Sequence, residues 1–376
     1  MNLFNAFVNQ SLNFMHKGLD SVSHELLRQP LDHSYNASFG DYDDIISTDF
    51  DGFCIDGKRH LQVASPNALV IGGSGVGKSS VLAIPHILNM KNTNIIVNDN
   101  SKEIYKATCH YLLSQGYSVK VINFGDNTAP HGVCYNPLHY IENAADAQRV
   151  AFTLVKNELG NSKEEFWNIM ATNLITLITR VLLHYDKQYR NLANVSYLLQ
   201  QLTFNPQLID KLVAGTHSKE LFALYKQYLS YDVKLRSSIN ATATSSLSLY
   251  NDPVLASVTA TDTLNIDTLR TDKVAIFIHC PLADATYFSG LISLFVSQMC
   301  KKLMREIPAN NSRYIQFLLD EFSSLYIKDI QILLSNVRKF KINLMLIVQD
   351  FQQIEAVYGK EDAQAIKTNC IAKLYF

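Results

Sequence analysis

Residues 72–79 read Gly-Gly-Ser-Gly-Val-Gly-Lys-Ser, a complete G-x-x-x-x-G-K-[ST] pattern whose chemistry is the cradling of phosphate. Glycines at Gly72, Gly73, Gly75 and Gly77 let successive backbone N–H groups turn inward on an anion. Lys78 offers a point charge to the terminal phosphates, Ser79 a hydroxyl to Mg²⁺, and a helix starting at Lys78 the positive end of its dipole. The expected nucleotide contacts are Gly72, Gly73, Ser74, Gly75, Val76, Gly77, Lys78, Ser79 and Ser80, with ATP and Mg²⁺ as cofactors.

Hydrolysis needs more than binding. The run Ile315-Gln-Phe-Leu-Leu-Asp320-Glu321 is an apolar strand that delivers two carboxylates at its carboxyl end. Asp320 is expected to hold the Mg²⁺ shell and Glu321 to polarise the attacking water as a general base. Gln349, at the end of the apolar run from Ile342 to Val348, is expected at the same edge, where its amide could orient that water. Arg338, in Val337-Arg-Lys-Phe340, is a candidate arginine finger for a neighbouring subunit's nucleotide. Spacing alone also allows it to be a helix-terminal charge facing solvent.

These side chains have to be positioned by a scaffold. Ala68–Ile71 before the glycine loop is a short buried-strand run. Asn94–Val97 and Ser118–Phe124 follow as strands, with a helix from Ser101 to about Ser114 between them. Strands then stop. Ala144–Leu159, Lys163–Tyr185, Val195–Gln201, Pro206–Val213 and Ser218–Leu249 all carry helical patterning, before strands resume at Val274–Ile278, Tyr314–Leu319 and Ile342–Val348. Helices are expected near Asp284–Arg305 and Ile327–Phe340. Strands alternating with helices imply a parallel sheet. The predicted fold is therefore an α/β P-loop NTPase core with an inserted all-helical domain. Its divisions are an N-terminal helical segment over 1–49, a nucleotide-binding domain over 50–141 and 265–376, and an all-alpha domain over 142–264.

Composition bounds the partners. With 376 residues, 47% hydrophobic and 18% charged, the chain can bury a sizeable core in about two domains. A formal charge of −1 gives no global attraction to nucleic acid or anionic lipid, so DNA contact would need a local basic lining or an assembled ring. The six cysteines form no C-x-x-C pair, and His279-Cys280 reads as packing at a strand end rather than as a metal site. No apolar run reaches the ~18 residues of a membrane span and no secretory signal is evident, which predicts a cytoplasmic protein. Leu3, Phe4, Phe7, Val8, Leu12, Met15, Leu19 and Val22 fall near helical spacing and are expected to pack on the main domain. Ile371–Phe376 reads as a further strand, so the natural polypeptide or its homologues are expected to continue beyond it.

Several shorter pieces accompany the phosphate loop and Asp320-Glu321 in a particular order. They are Asp99 to Glu103, Tyr135-Asn-Pro-Leu138, Glu165-Phe-Trp167, Arg338-Lys-Phe340 and Gln349. From about Phe50 to its end the chain resembles the type IV secretion coupling proteins, the TraG/TraD-like conjugation ATPases. The resemblance implies a RecA-like motor and a homohexameric ring. It also implies an all-alpha domain that meets a relaxase, relaxosome or effector protein, together with single-stranded DNA and type IV secretion channel components as partners. It raises Arg338 to a trans-acting finger and assigns Asp99 and Glu103 to the periphery of the nucleotide site. Two departures stand out: Ser101-Lys102 replaces the family's Lys-Gly, and the usual two N-terminal membrane helices are lacking. The latter implies a soluble form lying peripherally at the inner face of the cytoplasmic membrane. An FtsK- or HerA-like DNA translocase and a nucleotide-binding substrate adaptor with little turnover are the alternatives.

Overall fold

The structure, a computed structural model, describes residues 46–47, 54, 60–61, 67–159 and 165–376. The chain divides into residues 1–45 and 46–376, and the described residues all belong to the second unit. The amphipathic segment expected over Leu3–Val22 lies outside them, as does all of the 1–49 segment except Ile46 and Ser47.

Seven strands form one sheet: β1 (Ala68–Ile71), β2 (Thr93–Asn98), β3 (Ser118–Asn123), β4 (Val274–His279), β5 (Tyr314–Leu319), β6 (Ile342–Val348) and β7 (Ala372–Tyr375). Their spatial order is β3-β4-β2-β5-β6-β1-β7, and every pairing is parallel. All six residues of β2 and of β4 are buried, which fits a parallel sheet covered on both faces.

Alternation along the strands sorts the two cores. Val70, Val97, Phe277 and Leu318 pack with Leu82 and Ile87 of the segment after the glycine loop and with Ile104 and Leu112. On the other face Leu69, Ile96, Ile276, Phe317 and Leu346 share a core with Leu291 and Phe295, and with Val150, Leu154 and Ile175. Residues 144–182 thus join the core through that second face rather than hanging on a free linker.

The helix after the glycine loop begins as a widened segment, Lys78–Ala83, in which the Ile84 N–H reaches back five residues to the Ser79 carbonyl. It continues as α1 (Ile84–Asn89). Helix α2 (Glu103–Ser114) starts two residues later than the expected Ser101. Lys102 has φ 60°, a left-handed conformation that a helix cannot run through. No strand lies between β3 and β4 among the described residues. The segment carries α3 (Ala144–Leu159), α4 (Glu165–Leu182), α5 (Leu192–Phe204), α6 (Pro206–Gly215), α7 (Lys219–Ser230), α8 (Val233–Ser246) and α9 (Pro253–Val258).

The single helix expected over Ser218–Leu249 is therefore two. Asp232 is extended (φ −62°, ψ 158°) and accepts the Leu235 N–H at 2.9 Å, so an aspartate that could sit mid-helix instead caps a new one. After β4, α10 (Ala285–Leu303) returns the chain toward β5. α11 (Ile330–Asn336) begins later than the expected Ile327, because Asp329 has φ 59°. Two further helices, α12 (Phe351–Tyr358) and α13 (Lys360–Asn369), are hinged at Gly359 with φ 82°. They bring β7 beside β1, in register from Ala68↔Ala372 to Ile71↔Tyr375. No helix among the described residues is long and apolar enough to cross a membrane.

Candidate nucleotide site

Strand β1 ends at Ile71, and the Gly72 N–H donates to the Val348 carbonyl of β6 at 3.1 Å, anchoring the start of the loop to the sheet. Gly75 and Gly77 have φ of 78° and 88°, conformations that cost side-chain-bearing residues energy. At Gly72 the constraint is contact rather than torsion, because a Cβ there would lie 2.7 Å from that of Phe376. Ser74, Val76 and Ser80 are exposed. Lys78 Nζ donates to the carbonyls of Gly72 and Gly73 at 2.5 and 2.7 Å. A phosphate would compete well for this ammonium, since an anionic acceptor adds ion-pair attraction that a neutral carbonyl lacks.

Asp320 follows β5 directly. Leu318, two residues earlier, belongs to the face that holds Leu82 and Ile87, so the period-2 alternation carries Asp320 to the side of the loop helix. Strand β6 lies between β5 and β1. Burial, reinforced by the charge of Glu321 and then of Asp99, raises the Asp320 carboxyl to about 6, and Lys78 opposes the shift. The turn beyond it is held tightly. Asn98 Nδ2 donates to the Asp320 carbonyl at 2.8 Å, the Glu321 N–H donates to Asp320 Oδ1 at 3.1 Å, and Ser324 Oγ donates to the Glu321 carbonyl at 2.9 Å. Glu321 itself is left-handed, at φ 52°. Such a torsion on a bulky residue marks a conformation imposed by its surroundings.

Gln349 is exposed and immediately follows Val348, the residue bonded to Gly72. The structure therefore brings the glycine loop, Lys78, Ser79, Asp320, Glu321 and Gln349 to the carboxyl edge of one sheet. Arg338 is not with them. It lies in a 3-10 turn, Val337–Phe340, before β6, at the amino end of a seven-residue strand that spans about 20 Å. Its side chain is exposed and forms no hydrogen bond or ion pair among the described residues. Within one chain it cannot reach the phosphate loop.

Two residues at this edge carry more than their sequence context suggests. Asn98 ties β2 to the Asp320 turn, yet its sequence signal is only a polar run, Asn98-Asp99-Asn100, after an apolar strand. His279 was expected to pack and is indeed buried, with Nε2 3.8 Å from Asp99 Oδ2. Its neighbour Cys280 donates to Asn100 Oδ1 at 3.1 Å, and burial pushes that thiol up to about 12. No group of three potential metal-ligating side chains occurs among the described residues.

Residues 31–376 match the sequence model of the type IV secretory system conjugative DNA transfer family. The chain belongs to this family. Among its relatives, a conjugal transfer protein TraG of Escherichia coli is 24% identical over 341 residues, which is 84% of this chain and 52% of that protein. A TraG of Agrobacterium fabrum is 24% identical over 324 residues, 82% of this chain and 47% of its own. The chain spans about half the length of the curated relatives it matches. Solved structures with the same fold include the plasmid coupling protein TrwB in complex with ADP and Mg²⁺, with a TM-score of 0.66, 19% identity, and coverage of 86% and 74% of the two chains. VirB4 of Thermoanaerobacter pseudethanolicus aligns with a TM-score of 0.57 at 13% identity, over 87% of this chain and 84% of its own. The parallel sheet with flanking helices thus has the P-loop NTPase fold of these two structures. Family membership favours the conjugative reading over the FtsK- or HerA-like alternative.

Proposed function

We propose that the chain is the ATP-hydrolysing motor portion of a conjugative coupling protein. The observation that carries this reading is the meeting of a complete phosphate loop with a half-buried Asp320 and a left-handed Glu321 at one sheet edge. Glycine N–H groups of residues 72–77 and Lys78 hold the phosphates. The Ser79 hydroxyl and Asp320 would hold Mg²⁺, and the half-buried Asp320 carboxylate, raised by desolvation, suits it because a cation offsets the cost of ionising there. When bound, Mg²⁺ would supply charge neutralisation to the nucleotide's phosphates. Glu321 takes a proton from the attacking water as its oxygen bonds to the γ-phosphorus and the bridging oxygen departs with ADP. Gln349 orients that water, and Arg338 stabilises the nucleotide of the adjoining subunit.

Residues 50–141 and 265–376 make the motor, and 142–264 face the cargo, a relaxase, relaxosome or effector protein together with single-stranded DNA. The working form is a homohexamer at the cytoplasmic face of the membrane, delivering to a type IV secretion channel. The neck of the helical region is braced by Asp146 with Lys301, Glu142 with Arg305, and Lys302 with Asp267 at 3.2 Å. A cavity of about 260 Å³ sits among these pairs.

Steady-state ATP turnover with and without single-stranded DNA, beside nucleotide affinity, tests the reading. Glu321→Gln is expected to lose about 10²-fold in kcat while keeping affinity, and Lys78→Ala to lose affinity. Tight binding with no turnover in assembled parent protein would favour the adaptor reading, and unchanged affinity in Lys78→Ala would remove the phosphate-loop assignment.

A further inference from the structure

One strand beyond Asp320 the carboxyl edge carries a second buried polar group set. Strands β2 and β5 are in register to Asn98↔Leu319, and β2 and β4 to Asn98↔Ile278. The next residue on each strand is Asp320, Asp99 and His279, which therefore form one row across β5, β2 and β4. Val97, Leu318 and Phe277, two residues earlier, all face the loop helix, so the row lies on that face.

Asp99 is fully buried. Its Oδ2 accepts the Tyr105 N–H at 2.7 Å and its Oδ1 accepts Ser101 Oγ at 3.2 Å. With a further backbone hydrogen bond from Ile104, these cap the start of α2 and still leave a carboxylate's acceptor capacity incompletely used. No lysine or arginine is ion-paired with Asp99 or Asp320 among the described residues, so a buried and a half-buried carboxylate lie on adjacent strands, the charge of Asp99 raising Asp320 and that of Lys78 opposing it. That arrangement is costly unless a cation lies between them.

A second observation points the same way. His279 Nε2 is buried, with its side chain 3% exposed, and has no hydrogen-bond partner, although it lies 3.8 Å from Asp99 Oδ2. Asn98 Oδ1, on the same strand end, is likewise buried and unpartnered. Orphaned buried polar atoms are costly, and a separation of 3.8 Å suits a bridging water. The edge is polar beyond what capping α2 requires.

We propose that Asp99 and His279 extend the Mg²⁺ site by one strand. Asp99 accepts hydrogen bonds from the ion's coordinated water instead of ligating the ion, and His279 steadies that carboxylate through a buried water. Both are positioning residues. The inference rests on the nucleotide reading above and deepens it.

The test is the Mg²⁺ concentration giving half-maximal tightening of a fluorescent ADP analogue, with thermal melting as the control for folding. Asp99→Asn keeps an acceptor for the Tyr105 N–H and removes the charge. Its half-saturating Mg²⁺ is expected to rise about 10–100-fold, the usual effect of losing an outer-sphere partner, with Mg²⁺-free nucleotide affinity unchanged. His279→Leu is expected to shift it in the same direction, and His279→Gln, which retains a donor, to restore most of the affinity. Parent-like Mg²⁺ dependence in both Asp99→Asn and His279→Leu, with only melting altered, would reduce Asp99 to a helix cap and overturn the proposal. A parent chain whose ADP affinity ignores Mg²⁺ would remove the nucleotide reading itself, and this one with it.

Discussion

At the carboxyl edge of the sheet, the buried Asp99 and the half-buried Asp320 have no lysine or arginine ion-paired with them among the described residues, whereas at the amino edge Arg270, Arg313 and Lys341 are consumed by the fold. Arg270 donates to the carbonyls of Phe340 at 2.6 Å, Arg313 at 3.2 Å, Leu303 at 3.3 Å and Lys341 at 3.5 Å. Arg313 bonds Asn94 Oδ1 at 2.9 Å and the Tyr117 hydroxyl at 3.0 Å, and Lys341 bonds carbonyls of Ala309, Asn310 and Ser312. One edge leaves its charge unanswered and the other spends its charge on backbone. The lesson is that unsatisfied charge, more than charge itself, separates a site from a scaffold. By that measure Arg338, exposed and unbonded among the described residues, differs from Arg270 and Arg313, and the proposed trans-acting role draws on an arginine that this edge has left free.

Removing Arg338 should break the contrast most sharply. Arg338→Ala is expected to lower kcat about 10³-fold, the lower end of what arginine fingers contribute, with nucleotide affinity and melting unchanged. Mixed rings of Arg338→Ala and Glu321→Gln subunits should regain part of the turnover, and no recovery there would argue against action between subunits. Arg270→Met should do the reverse. It orphans several carbonyls at once, so a loss of about 2–3 kcal/mol of stability is expected, read by denaturant unfolding, with the Kd for nucleotide intact in the folded fraction.

The smallest effect is in pH. Asp320 must be ionised to hold Mg²⁺, and burial with the neighbouring Glu321 and Asp99 charges has raised it to about 6. Mg²⁺-dependent nucleotide affinity should therefore fall by up to about 10-fold per pH unit below 6. The stability of the metal-free chain should carry the opposite sign. A carboxyl whose folded value lies above its unfolded one favours folding at low pH, and that contribution is lost as pH rises through about 6. Asp320→Asn should abolish both trends, and a parent-like affinity profile in that variant would place the titration elsewhere.

Much of this was legible in the sequence because it is local. β1, β5 and β6 occupy the spans that their apolar runs predict, and α3 begins and ends where its periodicity does. The phosphate loop and the Asp320-Glu321 pair are contiguous motifs. What stayed hidden depends on distant parts of the chain. The order β3-β4-β2-β5-β6-β1-β7 is set by which faces the helices cover, and without it nothing places His279 beside Asp99, 180 positions away. Arg270 resembles a loop charge until four carbonyls from three other segments converge on it. The break at Asp232 was missed for a different reason. Capping competes with helix continuation by a margin of about 1 kcal/mol, too small for periodicity to decide.

The left-handed backbone at Glu321 sets stability against turnover at one position. Glycine would hold φ 52° with less strain, and asparagine tolerates it better than a long side chain does. A search for the most thermostable variant would therefore be drawn to replace Glu321, and it would discard the proton acceptor in doing so. Position 321 is where an engineered, sturdier version of this chain would most easily become an inert one.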